Sequence, residues 1–519
     1  MGDAGPQGQG VPADRRDHHC GRGRAARDGQ PGGSEGRARS RGARACRQDR
    51  AGAAGYRAGG QALDQQDPRP SGPARRLGLP LPGPPLDAQH RHRPGRAGAA
   101  HAEGLHEGSV CRAPRPPAQV RQPLAGIRVL DLGTRIAAPF CAGILGEQGA
   151  EVIKVEDPGR GDPTRINGPF ATDDEGNRYS LYWSVEGRGR KSVTINLRDP
   201  QGQDLFRRLA SVCDVVCENF RPGTLERWNI DPSRLDPRLV TARISLFGQD
   251  GPKSLYNGFD HNAVAFAGLT HLTGHADGPP ARPGLPVSDY LTAAFAAQAV
   301  TSLLYERDAR GTGTGGVVDA YLYGSVLRIM EWTIAAYDRL GEVRQRTGNR
   351  SERAAPLDNY RSRDGRYVCI VAVRQPVFER LCDAMGRPEL ITDERFRSSG
   401  TRGRNRDEVN QIVAAWAAGL DAVTIEERCL RHNVPVGIVY DVADVAADEH
   451  VRARGDLCTV DDPVIGAVRQ QAPFPRFDDR PPPVPVGAPR LGEHTDEVLS
   501  SLLGLSEAEI ASLRDGNVI

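Results

Sequence analysis

From about Leu124 onward, short apolar runs alternate with amphipathic stretches in a regular order. Ile127-Arg-Val-Leu-Asp-Leu132 is a compact apolar run that predicts a strand, Gly133 turns the chain, and Pro139 to Gln148 predicts a helix with a proline near its first turn. Gly149 closes that helix, and Glu151-Val-Ile-Lys-Val155 follows as a second strand, completing a βαβ unit of about thirty residues. The alternation repeats with strand Ser192 to Leu197, helix Pro200 to Ser211 with Leu205 and Leu209 on one face, and strands Asp214 to Cys217 and Leu239 to Leu246. Strands separated by helical crossovers pair in parallel, so the pattern predicts an α/β fold with a mainly parallel sheet covered on both faces. After the Gly/Pro-rich run Phe247 to Pro252, helical spacing dominates to about Leu340. From Gly348 the pattern changes, with the turn Asp364-Gly365 beside a strand Arg366 to Val371, which predicts a second, smaller domain. Pro481 to Pro489 reads as an extended linker, and Ser506-Glu-Ala-Glu-Ile510 as a capped final helix.

Residues 1–121 break every one of these patterns. Met1 to Val120 contains no Lys, Ile, Phe, Trp, Asn or Thr and is built from Gly, Ala, Arg, Pro and Gln. A stretch with so few large apolar side chains cannot offset the entropy of ordering its backbone, which predicts a disordered tail. Lys, Ile, Phe and Asn have AT-rich codons while Gly, Ala, Arg and Pro have GC-rich ones, as in an out-of-frame translation of GC-rich DNA. A misassigned start and a genuine Arg-rich arm are the two readings; the intact mass of the native protein separates them. The expected organisation is therefore the tail at 1–121, a large domain at 122–345, a small domain at 346–450 and a return segment at 451–519.

The tail also distorts the charge. It carries 20 Arg against 11 acidic residues, a net of +9, so a whole chain of +2 leaves −7 for the remainder. A mildly acidic body argues against nucleic acid as the main partner, though not against a small polyanion met by a local cation cluster. The ten cysteines show no zinc-ligand or Cys-x-x-Cys spacing, which predicts no metal. Neither a secretory leader nor a run long enough to span a membrane occurs, so the expected compartment is the reducing cytoplasm.

One segment stands out chemically. Arg282-Pro-Gly-Leu-Pro-Val-Ser-Asp289 runs straight into a small-residue helix, Tyr290-Leu-Thr-Ala-Ala-Phe-Ala-Ala. Free backbone N–H groups and the helix dipole would hold an Asp there as an anion. Such a carboxylate is either a plain cap or a nucleophile.

Read together, the motifs resemble the family III coenzyme A transferases, the CaiB/BaiF type that includes formyl-CoA and carnitine CoA-transferases. The similarity runs from about Leu124 to Ile519, some three quarters of the chain, through Pro123-Leu-Ala-Gly-Ile-Arg-Val-Leu-Asp-Leu132, Gly149-Ala-Glu-Val-Ile-Lys-Val-Glu156, Glu218-Asn-Phe-Arg-Pro-Gly223, Ser245-Leu-Phe-Gly-Gln-Asp-Gly-Pro252, Val434-Pro-Val-Gly437 and Leu491-Gly-Glu-His-Thr495. The resemblance implies a Rossmann-like large domain, a smaller α+β domain and a C-terminal segment that returns to the first. It implies that Asp289 attacks an acyl-CoA thioester, and that coenzyme A is a co-substrate, with no permanently bound cofactor. It further implies contacts to CoA from Asn219, Phe220 and Arg227, and from the basic pair Arg190-Lys191. The implied partners are an acyl-CoA donor, a carboxylic acid acceptor and a second copy of the chain in an interlocked homodimer.

The departures are specific. Gly258-Phe259-Asp260 replaces the family's common Gly-Tyr-Asp, Glu186-Gly187-Arg188-Gly189 replaces its Asn-Arg pair, and Gly348 to Pro356 lacks the glycine-rich lid of formyl-CoA transferases. The related 2-methylacyl-CoA racemases place His where Phe259 stands, so proton exchange would have to use His261. A CoA-binding paralogue without catalysis is the third reading.

Overall fold

The computed structural model describes residues 122–478 and 483–519. The expected tail at 1–121 and part of the Pro-rich linker lie outside the described residues.

Six strands make the central sheet: β1 (Arg128–Asp131), β2 (Glu151–Glu156), β3 (Lys191–Thr194), β4 (Val215–Glu218), β5 (Val240–Ser245) and β6 (Gly316–Tyr321). All neighbours are parallel, in the order β3-β2-β1-β4-β5-β6. The strand order therefore reverses between β1 and β4, and in such sheets ligands bind outside the carboxyl ends of the strands at that switch point. Strand residues alternate between two cores. Val129, Val152 and Val215 face one side with α1 (Ala137–Glu147), while Leu130, Ile153 and Val216 face the other.

The second face is covered by α2 (Pro200–Ala210), whose Leu205, Phe206 and Leu209 are buried at helical spacing, each worth about 1.5–3 kcal/mol. The long helix α3 (Val287–Leu304) packs with α1 on the first face through Ala293, Ala296, Ala297 and Val300. Small residues on α3 let it approach α1 closely. At the C-terminus, α4 (Thr495–Leu503) and α5 (Glu507–Asp515) add Val498, Leu499 and Ile510 to the α2 face, so the chain does return to the large sheet. Ser506 caps α5, with Glu509 reaching back to its backbone N–H.

Between these parts, β7 (Leu357–Arg361), β8 (Tyr367–Val371) and β9 (Val436–Ile438) form a small antiparallel sheet around its own core, which includes Phe378, Leu381 and Val413. The architecture is the α/β sheet plus small α+β unit expected from the pattern. The structure departs from the pattern at β6, which lies where only helices were expected. Its sequence is short, follows a Gly/Thr run and sits at the sheet edge, where side chains alternate between half-buried and exposed. The hairpin β10 (Leu457–Asp462) and β11 (Gly466–Gln471) was likewise hidden by its mostly polar composition.

Candidate active site

At the switch point, the loop Leu132 to Ile136 leaves β1 and enters α1. Buried side chains hold its backbone at several points. Gly133 N–H donates to Asp131 Oδ1 at 2.9 Å, and Gly133 O accepts from Lys154 Nζ at 2.7 Å. Asn219 grips Thr134 twice, accepting from its N–H and donating to its carbonyl, each at 2.8 Å. Arg135 N–H donates to the carboxylate of Asp162 at 3.2 Å. Lys154 is 1% exposed and lies 3.4 Å from Asp131 and 3.1 Å from Asp162. Burial disfavours its charge, but the Asp131, Asp162 and Glu156 carboxylates outweigh that and raise its pKa. Gly133 has no substitute here, since a Cβ would lie 2.6 Å from both Ala138 Cβ and Pro139 Cδ.

Asn219 is itself aimed by its neighbours. Glu218, at the end of β4, accepts from Phe220 N–H at 2.7 Å and from Arg243 at 2.8 Å, and Arg243 also reaches Glu226 at 2.8 Å. The segment 218–227 is thus held to β5 by a buried ion-pair network. Phe220 packs edge-on against Trp228, with ring centroids 5.5 Å apart. With Leu132, Thr134, Ile195, Arg198 and Trp228 it lines a crevice beyond the ends of β1, β2 and β3.

The nucleophile candidate lies beside this loop. Asp289 is the third residue of α3, in its first turn. The preceding residue, Ser288, donates from both N–H and Oγ to Asp260 Oδ1, at 2.8 and 2.7 Å. Asp260 is 3% exposed, and its other oxygen is buried without a partner. Asp289 is half-buried and makes no hydrogen bond among the described residues. The expectation of a dipole-stabilised anion is reversed: burial first, then the Asp260 charge, push the Asp289 carboxyl up to about 7, against the pull of Arg135. One helix terminus contributes far less than the removal of water and a neighbouring like charge.

Around Asp289 stand groups that were not among the predicted site residues. The Arg135 guanidinium lies 5.5 Å from the Phe259 ring centroid. Tyr290 donates to the buried Glu186 carboxylate at 2.8 Å and meets Phe140 edge-on at 4.8 Å. The hydroxyl of Tyr182 is close enough to Asp289 and Arg135 to respond to both charges, and burial raises its pKa. Phe259 and Asp260 had a signal in the sequence, in Gly258-Phe259-Asp260, and Glu186 stood among the departures from the family pattern. Arg135 follows the Gly133 turn with no motif of its own.

The six sequence-predicted residues divide in the structure. Asp289 and Asn219 meet through the 132–136 loop: Asn219 holds Thr134, and the next residue's charge reaches Asp289. Phe220 lines the crevice, and Arg227 is exposed nearby, bonded to Thr224 Oγ1 at 2.9 Å. Arg190 and Lys191 are not brought there. Arg190 is 6% exposed beneath α1, donating to the carbonyls of Glu186 and Pro139. Lys191 begins β3, at the opposite end from the crevice, and its ammonium is 2.9 Å from both Glu151 and Glu497. His261 is exposed on the helix Asp260–Phe266. Among the described residues no cluster of His, Cys, Asp and Glu could hold a metal ion, and no helix is long and apolar enough to cross a membrane.

The family model described as CoA-transferase family III matches residues 124–495. The chain belongs to CoA-transferase family III. It is 40% identical over 411 residues to succinyl-CoA--D-citramalate CoA-transferase of Chloroflexus aurantiacus, covering 78% of this chain and 99% of that protein. It is 34% identical over 438 residues to succinyl-CoA:glutarate CoA-transferase of Mus musculus, covering 82% and 96%. The crystal structure of a CAIB/BAIF family protein from Brucella suis superposes with a TM-score of 0.66 at 31% identity, covering 74% of this chain and all of that one. As a member of family III, the protein is an acyl-CoA:carboxylate CoA-transferase with coenzyme A as co-substrate.

Proposed function

We propose that this family III transferase moves CoA from a dicarboxylic acyl-CoA of the succinyl-CoA type to a second carboxylic acid, with Asp289 as nucleophile. The observation that carries the assignment is an Asp289 carboxyl in a helix's first turn with no hydrogen-bond partner and a pKa near 7. A structural cap would be bonded to backbone N–H groups and would titrate low. The acyl specificity is supported by relatives named for succinyl-CoA as donor.

The steps balance without water. An Asp289 oxygen attacks the thioester carbonyl carbon, the C–S bond breaks, and CoA thiolate leaves an acyl-aspartyl anhydride. The thiolate attacks the aspartyl carbonyl, releasing the donor acid as its carboxylate and leaving an aspartyl-CoA thioester. The acceptor carboxylate attacks that thioester, expelling the thiolate and forming a second anhydride. Attack of the thiolate on the acceptor's acyl carbon completes the new acyl-CoA and frees Asp289. The thioester's activation is kept in covalent bonds throughout.

CoA would lie along the crevice at the ends of β1, β2 and β3, against Phe220, with Asn219 fixing the loop that joins it to Asp289. Arg198 and Arg227 are the cations best placed for its phosphates. Arg190 and Lys191 would have to abandon internal partners first, so they take the supporting role of packing α1 and β3.

The proposed assembly is an interlocked homodimer in the cytoplasm. The helix Thr333–Leu340 buries none of its own residues, and Trp332, Ile334, Tyr337 and Leu340 are 41–65% exposed. A monomer rarely leaves such a stripe uncovered. Light scattering that finds a monomer would remove this part.

The main test is a CoA-transfer assay of the full chain with succinyl-CoA and a panel of acids. Trapping the Asp289 adduct with hydroxylamine separates catalysis from a paralogue that merely binds CoA. An Asp289→Ala enzyme that turns over normally would sink the mechanism.

A further inference from the structure

Arg135 is the last residue held by the β1–α1 loop's polar cradle, and it sits in a costly conformation. Its φ is +66°, in the left-handed region, which residues other than Gly, Asn and Asp adopt only under strain. Asp162 holds it there through its backbone N–H. The side chain is exposed, and among the described residues its guanidinium forms no ion pair. Other arginines in this part of the fold are engaged: Arg165 by Glu156, Arg188 by Glu147, Arg243 by Glu218 and Glu226. Among the described residues its guanidinium lies over the Phe259 ring, which orients it without neutralising it. Phe259 adjoins Asp260, Asp260 accepts from Ser288, and Ser288 adjoins Asp289, so the cation belongs to the same cluster as the reacting carboxyl and its charge acts on it.

We infer that Arg135 binds the second, unreacting carboxylate of a short dicarboxylic acyl group or acceptor acid while Asp289 works on the first. This rests on the dicarboxylate reading above. A planar guanidinium over an aromatic ring and without an ion-pair partner can present its N–H edge to a carboxylate in bidentate fashion. A monocarboxylic substrate would leave that edge unpaired, so the arginine selects by charge as well as by reach.

The test separates this inference from the transferase reading by measuring binding without turnover. In Asp289→Asn full-chain protein, calorimetry gives the affinities of succinyl-CoA, butyryl-CoA and free CoA. Adding Arg135→Asn, which accepts the left-handed backbone, should weaken succinyl-CoA roughly tenfold or more, about 1.4 kcal/mol. It should leave butyryl-CoA and CoA within about twofold of the parent. Arg135→Lys should recover part of the succinyl-CoA affinity. An equal loss for all three ligands, or no change in any, would overturn the assignment. Should the native enzyme exchange no CoA, the mechanism fails, yet the succinyl-to-butyryl ratio still decides the role of Arg135.

Discussion

Two groups of charges lie on either side of the β1–α1 loop and behave in opposite ways. Under the loop, Asp131, Lys154 and Asp162 are buried and mutually paired, and Lys154 is held more firmly charged than a free lysine. Above it, Asp260 and Asp289 are like charges brought together with too little water, and one Asp260 oxygen has no partner among the described residues. The first group resolves its electrostatics internally and so makes a rigid shelf. The second leaves its electrostatics unresolved, which is what a site needs if a substrate is to complete it. Paired buried charge indicates scaffold here, and unpaired charge indicates chemistry.

The sharpest way to break this contrast is at Asp289. Asp289→Ala should lower CoA transfer by roughly 10⁴-fold or more, with the fold intact, because it removes an unbonded carboxyl and no scaffold contact. Steady-state assay beside a thermal melt checks both halves. On the other side, Lys154→Met should cost about 3–5 kcal/mol in urea unfolding, since it leaves Asp131 and Asp162 buried against each other. If Lys154→Met were as stable as the parent, the shelf would not be the rigid element described.

A smaller effect concerns pH. The nucleophile must be ionised, so kcat/KM should rise with pH and level off above about 7, the Asp289 value. Asp260→Asn keeps the acceptor for Ser288 and removes the repelling charge, so the inflection should move to lower pH by about one unit. Stability carries the matching sign. The folded pKa of Asp289 lies above the ordinary aspartate value of 3.8, so its contribution is full below about pH 4 and is lost as pH rises through about 7. Asp260→Asn should flatten that loss. A pH profile unchanged in Asp260→Asn would show that the two carboxyls do not interact.

The smallest expected effect is at Lys191. Its pairs with Glu151 and Glu497 are a third exposed or more, and such pairs contribute about 0–1 kcal/mol. Lys191→Ala should barely move stability or the KM for acyl-CoA. A large rise in that KM would place a CoA phosphate at the β3 start and redraw the binding path.

Much of the scaffold could be read directly from the chain. Consecutive apolar residues, Val129-Leu130 in β1, Val152-Ile153 in β2 and Val215-Val216 in β4, encode strands with two buried faces, and the glycine after β1 encodes the turn into α1, because these depend on local periodicity and backbone sterics. The sequence also determined which Asp begins a small-residue helix, and its ordered motifs pointed to the family. It did not reveal β6, whose pairing comes entirely from a distant partner strand. Nor did it separate Arg190 and Lys191 from true surface cations: a basic pair looks the same whether its charges face solvent or the underside of α1. The pKa of Asp289 and the freedom of Arg135 were decided only in three dimensions. Both depend on groups from separate stretches of chain, Asp260 and Phe259 on one and Arg135 on another, and on how much water the fold leaves between them.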